Sequence, residues 1–270
     1  MKIAFIGAGN MAAALIGGLL KRGVATSDIL ALDPHDQTRD HRRSQYGIEV
    51  QATVSAQLRD FDVVVVAVKP QVMKSTCEAL KPFVGKQLFI SVAAGVKTLT
   101  ICRWLGDYQH VVRAMPNTPA LVGAGITGLF AAPAVSKVER ILAEETLGAV
   151  GMTVWVHDDD SIDAVTAISG SGPAYVFYFI EALQRAAQKL GLTEEQSKTL
   201  ALATFSGATR LALSSDQSVE SLRESVTSKG GTTAAALRSF ATADVAESIV
   251  QGAIAARNRA VELGIEMDRT

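Results

Sequence analysis

The 270-residue chain has few cysteines, few aromatic residues and little net charge. Its two cysteines are too few for a disulfide framework, so we expect a reducing compartment, the cytoplasm. A net charge of −1 gives no reason to expect binding to nucleic acid or to an anionic membrane surface. The histidines and cysteines show no ligand spacing, and the apolar run Val63–Val66 is too short to span a bilayer. We therefore expect a soluble protein without a metal site, and its 48% hydrophobic content can fill one large or two smaller cores.

The chain opens with an apolar segment, a glycine turn and a segment of helical character. Ile3 to Ile6 predicts a buried strand, and Met11 to Leu20 predicts a helix. The Gly-x-Gly-x-x-Ala turn between them stands in the setting that a dinucleotide fingerprint requires. Gly7 permits a tight turn, and Gly9 lets the backbone approach a pyrophosphate at the helix start. A glycine turn that serves packing alone is the alternative.

More short apolar segments follow, separated by helical ones. They predict strands at Ile29–Leu32, Val63–Val66, Leu88–Val92, Val111–Ala114, Ile126–Phe130 and Met152–Val156. A helix is predicted from about Lys137 to Val150. This alternation indicates an α/β Rossmann-type fold with a doubly wound, mostly parallel sheet, in which ligands bind at the carboxyl ends of the strands.

Charged residues after the second predicted strand bear on the choice of cofactor. Asp33 stands where an acid usually receives the ribose hydroxyls of NADH and disfavours the 2′-phosphate of NADPH. Arg39, Arg42 and Arg43 follow closely and could neutralise such a phosphate, although each also suits a solvated helix face. The sequence leaves NADPH or NADH open.

Three other strand ends carry candidate cofactor contacts. Lys69 can reach a phosphate or ribose, or lie in a solvated loop. The small residues Ala93, Ala94 and Gly95 would let a cofactor lie against backbone. Asn117 can pair with a carboxamide such as that of nicotinamide, or simply form a turn.

After Val156 the periodicity is helical throughout. We therefore predict a dinucleotide-binding domain over residues 1–157 and an all-helical domain over residues 158–270. Asp158 to Asp160 suits a solvated linker and helix start, and Gly264 is expected to stop the last helix. The helix expected at Ala174–Leu190 begins apolar nearly all round, which suggests that a partner subunit covers it.

The loop from Thr227 to Thr233 places hydroxyls and glycines directly before a helix. Several backbone N–H groups can converge there on an anion, and a carboxylate is the natural small ligand. A capped turn between two helices is the alternative, but it needs only one hydroxyl. The surplus of hydroxyls favours a ligand site.

Together the two halves resemble the pyrroline-5-carboxylate reductase family. The first three matching blocks are Phe5-Ile6-Gly7-Ala8-Gly9-Asn10-Met11-Ala12, Ala67-Val68-Lys69-Pro70 and Met115-Pro116-Asn117-Thr118-Pro119. The fourth has two pieces, Ser169-Gly170-Ser171-Gly172-Pro173-Ala174-Tyr175 and Val226-Thr227-Ser228-Lys229-Gly230-Gly231-Thr232-Thr233. The first block is shared by many dehydrogenases, whereas the last is close to diagnostic.

The resemblance implies an enzyme that reduces the cyclic imine 1-pyrroline-5-carboxylate to L-proline with NADPH or NADH. It implies that residues 6–11 (Ile6, Gly7, Ala8, Gly9, Asn10 and Met11) hold the pyrophosphate. Residues 67–70 (Ala67, Val68, Lys69 and Pro70) would hold the adenosine side, and residues 93–95 the nicotinamide ribose. Substrate would be bound by Ser228, Gly230, Gly231, Thr232 and Thr233. The family also implies a homodimer through the helical domain, and such dimers often assemble into decamers.

This chain departs from the family at two positions. Many members carry Thr or another small hydroxyl residue in place of Asp33, which weakens any inference of NADPH preference. Lys229 stands where proline is common, with no evident effect on the chemistry.

A protonated imine accepts hydride directly, so the reaction needs alignment more than a strong acid. This agrees with the lack of histidine in the matched blocks. The resemblance implies that Thr233 bonds to the ring nitrogen, so we take it as the candidate catalytic residue. A hydroxyacid dehydrogenase would instead need a general base, for which Lys229 is the tenable candidate. A nucleotide-sensing module would bind cofactor without turnover.

Overall fold

The computed structural model describes residues 1–268, which form eight strands and eleven α-helices. The strands are β1 (Ile3–Ile6), β2 (Ile29–Leu32), β3 (Glu49–Gln51), β4 (Val63–Val66), β5 (Leu88–Ser91), β6 (Val111–Met115), β7 (Gly125–Ala131) and β8 (Gly151–Trp155). The helices are α1 (Asn10–Lys21), α2 (Asp36–Tyr46), α3 (Met73–Leu80), α4 (Thr98–Trp104), α5 (Lys137–Gly148), α6 (Ser161–Val165), α7 (Gly172–Lys189), α8 (Glu194–Leu213), α9 (Val219–Ser225), α10 (Thr232–Thr242) and α11 (Val245–Asp268). One π-helical turn, Thr166–Gly170, follows α6.

All eight strands belong to one sheet, in the order β3-β2-β1-β4-β5-β6-β7-β8. Every neighbouring pair is parallel except β6 and β7, which are antiparallel. The predicted α/β, mostly parallel sheet is confirmed. The sequence patterns missed β3, a three-residue edge strand in which only Val50 is buried, because one apolar residue makes no recognisable period.

The inner strands form the core. Every residue of β1, β2, β4 and β5 is buried. Since helices cover both faces of such strands, their sequences are continuous apolar runs rather than alternating ones. Phe5 and Phe89 are among the largest side chains that are fully buried. This core fixes the carboxyl ends of β1, β4 and β5 side by side.

The chain forms two compact units. One contains residues 1–171 and the chain from Ala256 onward, and the other contains residues 172–255. The second unit is built of helices alone. In it α8 begins with a capping box, in which Thr193 Oγ1 accepts from the Gln196 N–H at 3.2 Å. The predicted boundary between residues 157 and 158 stays a prediction.

Helix α7 carries the apolar surface expected from its sequence. Phe177 and Tyr178 are 65% and 63% exposed in the single chain, and Val176 is 42% exposed. Exposed patches of this kind mark interaction surfaces. Within residues 1–268, no helix combines the length and apolar character needed to cross a bilayer.

The prediction that Gly264 stops the last helix is wrong, because α11 continues through it to Asp268. This glycine is required for packing: a Cβ at position 264 would lie 2.8 Å from the carbonyl oxygen of Gly95. The same end of α11 is anchored where Thr100 on α4 donates a hydrogen bond to Asp268. The turn after β5 therefore rests directly on the backbone of α11.

We expect Gly264→Ala to destabilise the protein by about 1–3 kcal/mol, because the added methyl overpacks this contact. Gly252→Ala is the matched control on α11, since within the described residues nothing lies within 4 Å of its Cβ position. That control should be neutral or stabilising by up to about 1 kcal/mol. Urea unfolding of both variants measures the difference. Equal effects would contradict the packing role of Gly264.

Candidate functional site

The carboxyl ends of β1, β2 and β4 border a cavity of about 660 Å³. Its lining includes seven of the predicted cofactor contacts, namely Ile6, Gly7, Gly9, Asp33, Ala67, Val68 and Lys69. Ala8, Asn10, Met11 and Pro70 are close to these residues in the sequence but lie outside this lining. The structure thus brings most of the predicted adenosine and pyrophosphate contacts together, where doubly wound sheets bind ligands.

The two glycines of the loop after β1 differ in their surroundings: Gly7 is tightly packed and Gly9 is accessible. Gly7 has a φ of +91°, and a Cβ there would lie 2.8 Å from the Ala67 carbonyl oxygen. Apart from the chain neighbours of Gly9, no heavy atom of residues 1–268 lies within 4 Å of its Cβ position, so a ligand can approach its backbone. Gly9 is also the N-cap of α1 and makes no side-chain cap, which leaves the first N–H groups of the helix available. These features fit a dinucleotide pyrophosphate.

Asp33 lies at the rim of this cavity and is only 9% exposed. Its carboxylate accepts hydrogen bonds from the backbone N–H groups of Ala8, at 3.1 Å, and His35, at 3.0 Å. These donors fix the carboxylate against the glycine loop. The predicted acid therefore borders the cavity in a fixed orientation, and its contact with a cofactor ribose stays a prediction.

The three arginines of α2 are all engaged within the protein. Arg39 pairs with Asp36 and donates to the Asp33 carbonyl at 2.9 Å, and Arg43 pairs with Asp40. Arg42 is 9% exposed, and its Nε donates to the Ala8 carbonyl at 2.9 Å. The interpretation of this group as a solvated helix face is wrong for Arg42.

Asn117 is buried beside β6, with both ends of its amide occupied. Its Nδ2 donates to the Ser169 carbonyl at 3.1 Å, and its Oδ1 accepts from the Ile126 N–H at 3.0 Å. These bonds tie the loop after β6 to β7 and to the π-helical turn. They favour a structural role, and contact with nicotinamide stays a prediction. Ala93, Ala94 and Gly95 follow β5 after one intervening residue, and β5 lies next to β4 in the sheet.

The hydroxyl-rich loop of the helical unit ends at α10. Gly231 is the N-cap of this helix, and its N–H donates to the Ser228 carbonyl at 3.0 Å. A Cβ at position 231 would lie 2.4 Å from Ser228 Oγ and 3.2 Å from the Ser228 carbonyl oxygen, so a side chain there would displace the Ser228 hydroxyl. Within the described residues, no hydrogen bond is recorded for the hydroxyls of Ser228, Thr232 or Thr233. The predicted substrate residues thus present free hydroxyls at a helix N-terminus, which suits a carboxylate.

A buried ionic cluster that the sequence patterns missed lies at the amino end of α6. Arg113 on β6 is 1% exposed, and it donates to Asp159 at 2.8 Å and to Asp163 at 2.7 Å. Asp159 was expected in a solvated linker, but its side chain is only 17% exposed. The sequence did contain a signal for this cluster, namely the arginine at position 113 within an apolar strand. A charge buried in a strand requires a buried partner of opposite charge.

The two thiols are excluded as nucleophiles. Burial raises the pKa of Cys77 to about 12 and that of Cys102 to about 11, so both are protonated at neutral pH. Among the described residues, no group of three or more His, Cys, Asp and Glu side chains is arranged to hold a metal ion.

Comparison with known proteins matches both halves of the chain. A family model described as pyrroline-5-carboxylate reductase dimerisation matches residues 159–263, and one described as NADP oxidoreductase, coenzyme F420-dependent, matches residues 2–95. A pyrroline-5-carboxylate reductase of Pseudomonas aeruginosa is 46% identical over 268 residues, which cover 98% of each chain.

Solved structures agree with these matches. The structure of a pyrroline-5-carboxylate reductase from Coxiella burnetii is 43% identical, with a TM-score of 0.91 over 97% of this chain and 98% of that one. A pyrroline carboxylate reductase of Plasmodium falciparum with NADP bound is 29% identical, with a TM-score of 0.86 over 98% of both chains. The likeness covers both compact units.

We expect Asp163→Ala to destabilise the protein by about 3 kcal/mol, because it leaves the buried Arg113 charge short of a partner. Asp160→Ala is the control: Asp160 pairs with Lys97, but its side chain is 70% exposed. Exposed pairs contribute about 0–1 kcal/mol. Thermal and urea unfolding measure both variants, and equal losses would contradict the assignment of the cluster.

Proposed function

The chain belongs to the pyrroline-5-carboxylate reductase family, and from this premise we propose which of its residues bind and reduce the substrate. Its activity is NAD(P)H-dependent hydride transfer to the C=N bond of 1-pyrroline-5-carboxylate, which gives L-proline, the last step of proline biosynthesis. The observation that carries the assignment of residues is the set of free hydroxyls at the start of α10.

The cofactor side of the proposal uses the first compact unit. The segment from Ile6 to Met11 binds the pyrophosphate. Gly7 packs against the residue that follows β4, whereas the backbone of Gly9 is accessible to a ligand. Asp33 receives the adenosine ribose, and the turn after β5 supports the nicotinamide side. When bound, the reduced nicotinamide supplies the hydride.

The substrate side uses the loop before α10. The hydroxyls of Ser228 and Thr232, with the first N–H groups of α10, bind the substrate carboxylate. Gly231 leaves room for the Ser228 hydroxyl, which a side chain at position 231 would displace. Thr233 Oγ1 contacts the ring nitrogen and orients the imine, which makes it the catalytic residue.

The hydride transfer needs no strong acid or base from the protein. A protonated imine already carries the positive charge that attracts hydride, so positioning contributes most of the acceleration. Neither thiol can serve as a base at neutral pH, since burial holds both pKa values well above the usual range. A single hydroxyl at the nitrogen is consistent with this small set of requirements.

Homo-oligomerisation follows from the dimerisation segment at residues 159–263. We propose a dimer formed through the helical domain, with the exposed apolar face of α7 in its interface, and assembly of dimers into decamers. The proposal includes a cytoplasmic location, which suits two unpaired cysteines that are both buried.

Thr233→Ala should lower kcat by at least about ten-fold, equivalent to about 1.4 kcal/mol of lost transition-state stabilisation. Binding of the reduced cofactor, followed by nicotinamide fluorescence, should not change. Thr242→Ala is the matched control, because Thr242 lies at the other end of α10 and its hydroxyl bonds only the Arg238 carbonyl, at 3.0 Å.

Unchanged turnover in Thr233→Ala would remove Thr233 from the mechanism. Equal losses in both threonine variants would show a general effect on α10 instead. If wild-type protein binds cofactor but reduces no cyclic imine, the proposed substrate is wrong.

Light scattering should give an even multiple of the chain mass. Phe177→Glu should shift it toward the monomer, because Phe177 is 65% exposed on α7 and a charge cannot be buried there without a partner. Leu99→Glu is the control, since Leu99 is equally exposed, at 66%, but lies on α4 in the other compact unit. A monomeric wild type would contradict the proposed dimer.

A further inference from the structure

Two buried side chains hold the peptide groups on either side of Ala8. The Ala8 N–H donates to Asp33 at 3.1 Å, and the Ala8 carbonyl accepts from Arg42 Nε at 2.9 Å. Arg42 is fixed in turn by a bond from its Nη1 to Gln45, at 2.7 Å. The centre of the glycine loop is therefore clamped from β2 on one side and from α2 on the other.

This clamp decides what surrounds the adenosine ribose. Asp33 presents a fixed negative charge at the cavity rim. Arg42 is directed to the Ala8 carbonyl, and Arg39 is held by the carbonyls of Asp33 and Pro34. A 2′-phosphate would thus meet a carboxylate, while these two cations are already committed to backbone oxygens.

Neither Arg39 nor Arg42 lines the cavity, and the basic side chains in its lining are His35 and Lys69. Lys69 follows β4, which is two strands away from β2 in the sheet, a separation of about 10 Å. That position suits the pyrophosphate better than a 2′-phosphate beside Asp33. The backbone N–H of His35 donates to Asp33, which reinforces the orientation of the carboxylate.

We propose that this chain prefers NADH to NADPH, that Asp33 sets the preference while it holds the glycine loop, and that Arg42 is a positioning residue and not a phosphate ligand. The inference rests on the proposed function for the cofactor site but not for the identity of the imine. It also explains why a simple exchange of Asp33 for a small residue would be costly, since the Ala8 N–H would lose its acceptor.

The first experiment measures binding of NADH and NADPH to the full-length protein at pH 8, by nicotinamide fluorescence without substrate. NADH should bind at least about ten-fold more tightly, a difference of about 1.4 kcal/mol. With pyrroline carboxylate as substrate, the ratio of kcat/KM for NADH to kcat/KM for NADPH should show the same preference. Equal or tighter binding of NADPH would overturn the proposal.

Asp33→Asn separates the charge from the hydrogen bond, because the asparagine oxygen still accepts from Ala8. The preference should fall at least about ten-fold, mainly through tighter NADPH binding. Asp28→Asn is the matched control: Asp28 precedes β2 directly, as Asp33 follows it, so the same charge is removed from the other end of the strand. An unchanged preference in Asp33→Asn would overturn the role of Asp33.

Arg42→Met tests the clamp against the rival phosphate role. A positioning residue predicts that both cofactors bind more weakly by the same factor, with their ratio kept within about two-fold, less than about 0.4 kcal/mol. A loss confined to NADPH would overturn the positioning role. Thermal unfolding checks the fold of Arg42→Met, and if it does not fold, the aspartate pair still decides the preference.

Failure of this inference is distinct from failure of the proposed function. A protein that binds NADH preferentially but reduces no imine would contradict the function and support the cofactor inference. A protein that reduces the imine equally well with NADPH would do the reverse.

Discussion

The contact between Gly7 and the carbonyl of Ala67 is the constraint on which the cofactor side depends. No side chain fits between them, and the Gly7 N–H is also bonded to the Leu32 carbonyl at 2.8 Å. One residue thus joins the ends of β1, β2 and β4. Because these strands are parallel and buried, the loops that leave them must emerge at the same edge. The cavity lies where these contacts of Gly7 make the chain turn away from the sheet.

Much of this arrangement could be predicted from the sequence. The strands Ile3–Ile6 and Val63–Val66 are buried and carry no polar residue, so they are visible as apolar runs, and the glycine turn between strand and helix has few other uses. The hydroxyl-rich loop before α10 was also visible, because it holds more hydroxyls than a cap requires. Local chemistry that is fixed within a few residues is readable from the chain.

Contacts between residues far apart in the chain could not be predicted from the sequence. Gly264 suggested a helix end, but it is needed where α11 meets the turn after β5. Asn117 suggested a ligand contact, yet its amide is bonded to Ser169 and Ile126. Arg42 suggested a solvated face, yet it holds the glycine loop. In each case the residue type was informative, but the partner, which decides the role, lies far along the sequence.

The proposed cofactor site and the proposed substrate site differ in the packing that supports them. The cofactor loops rest on a core within one chain, whereas among residues 172–255 only Ser197 and Ala201 are buried. Helices with so little burial gain most of their stability from a further packing surface. The start of α10, which carries the proposed substrate hydroxyls, is therefore expected to need a further packing surface for its stability. In a family with a dimerisation segment, we expect a partner subunit to supply that surface, while the glycine loop needs only its own sheet.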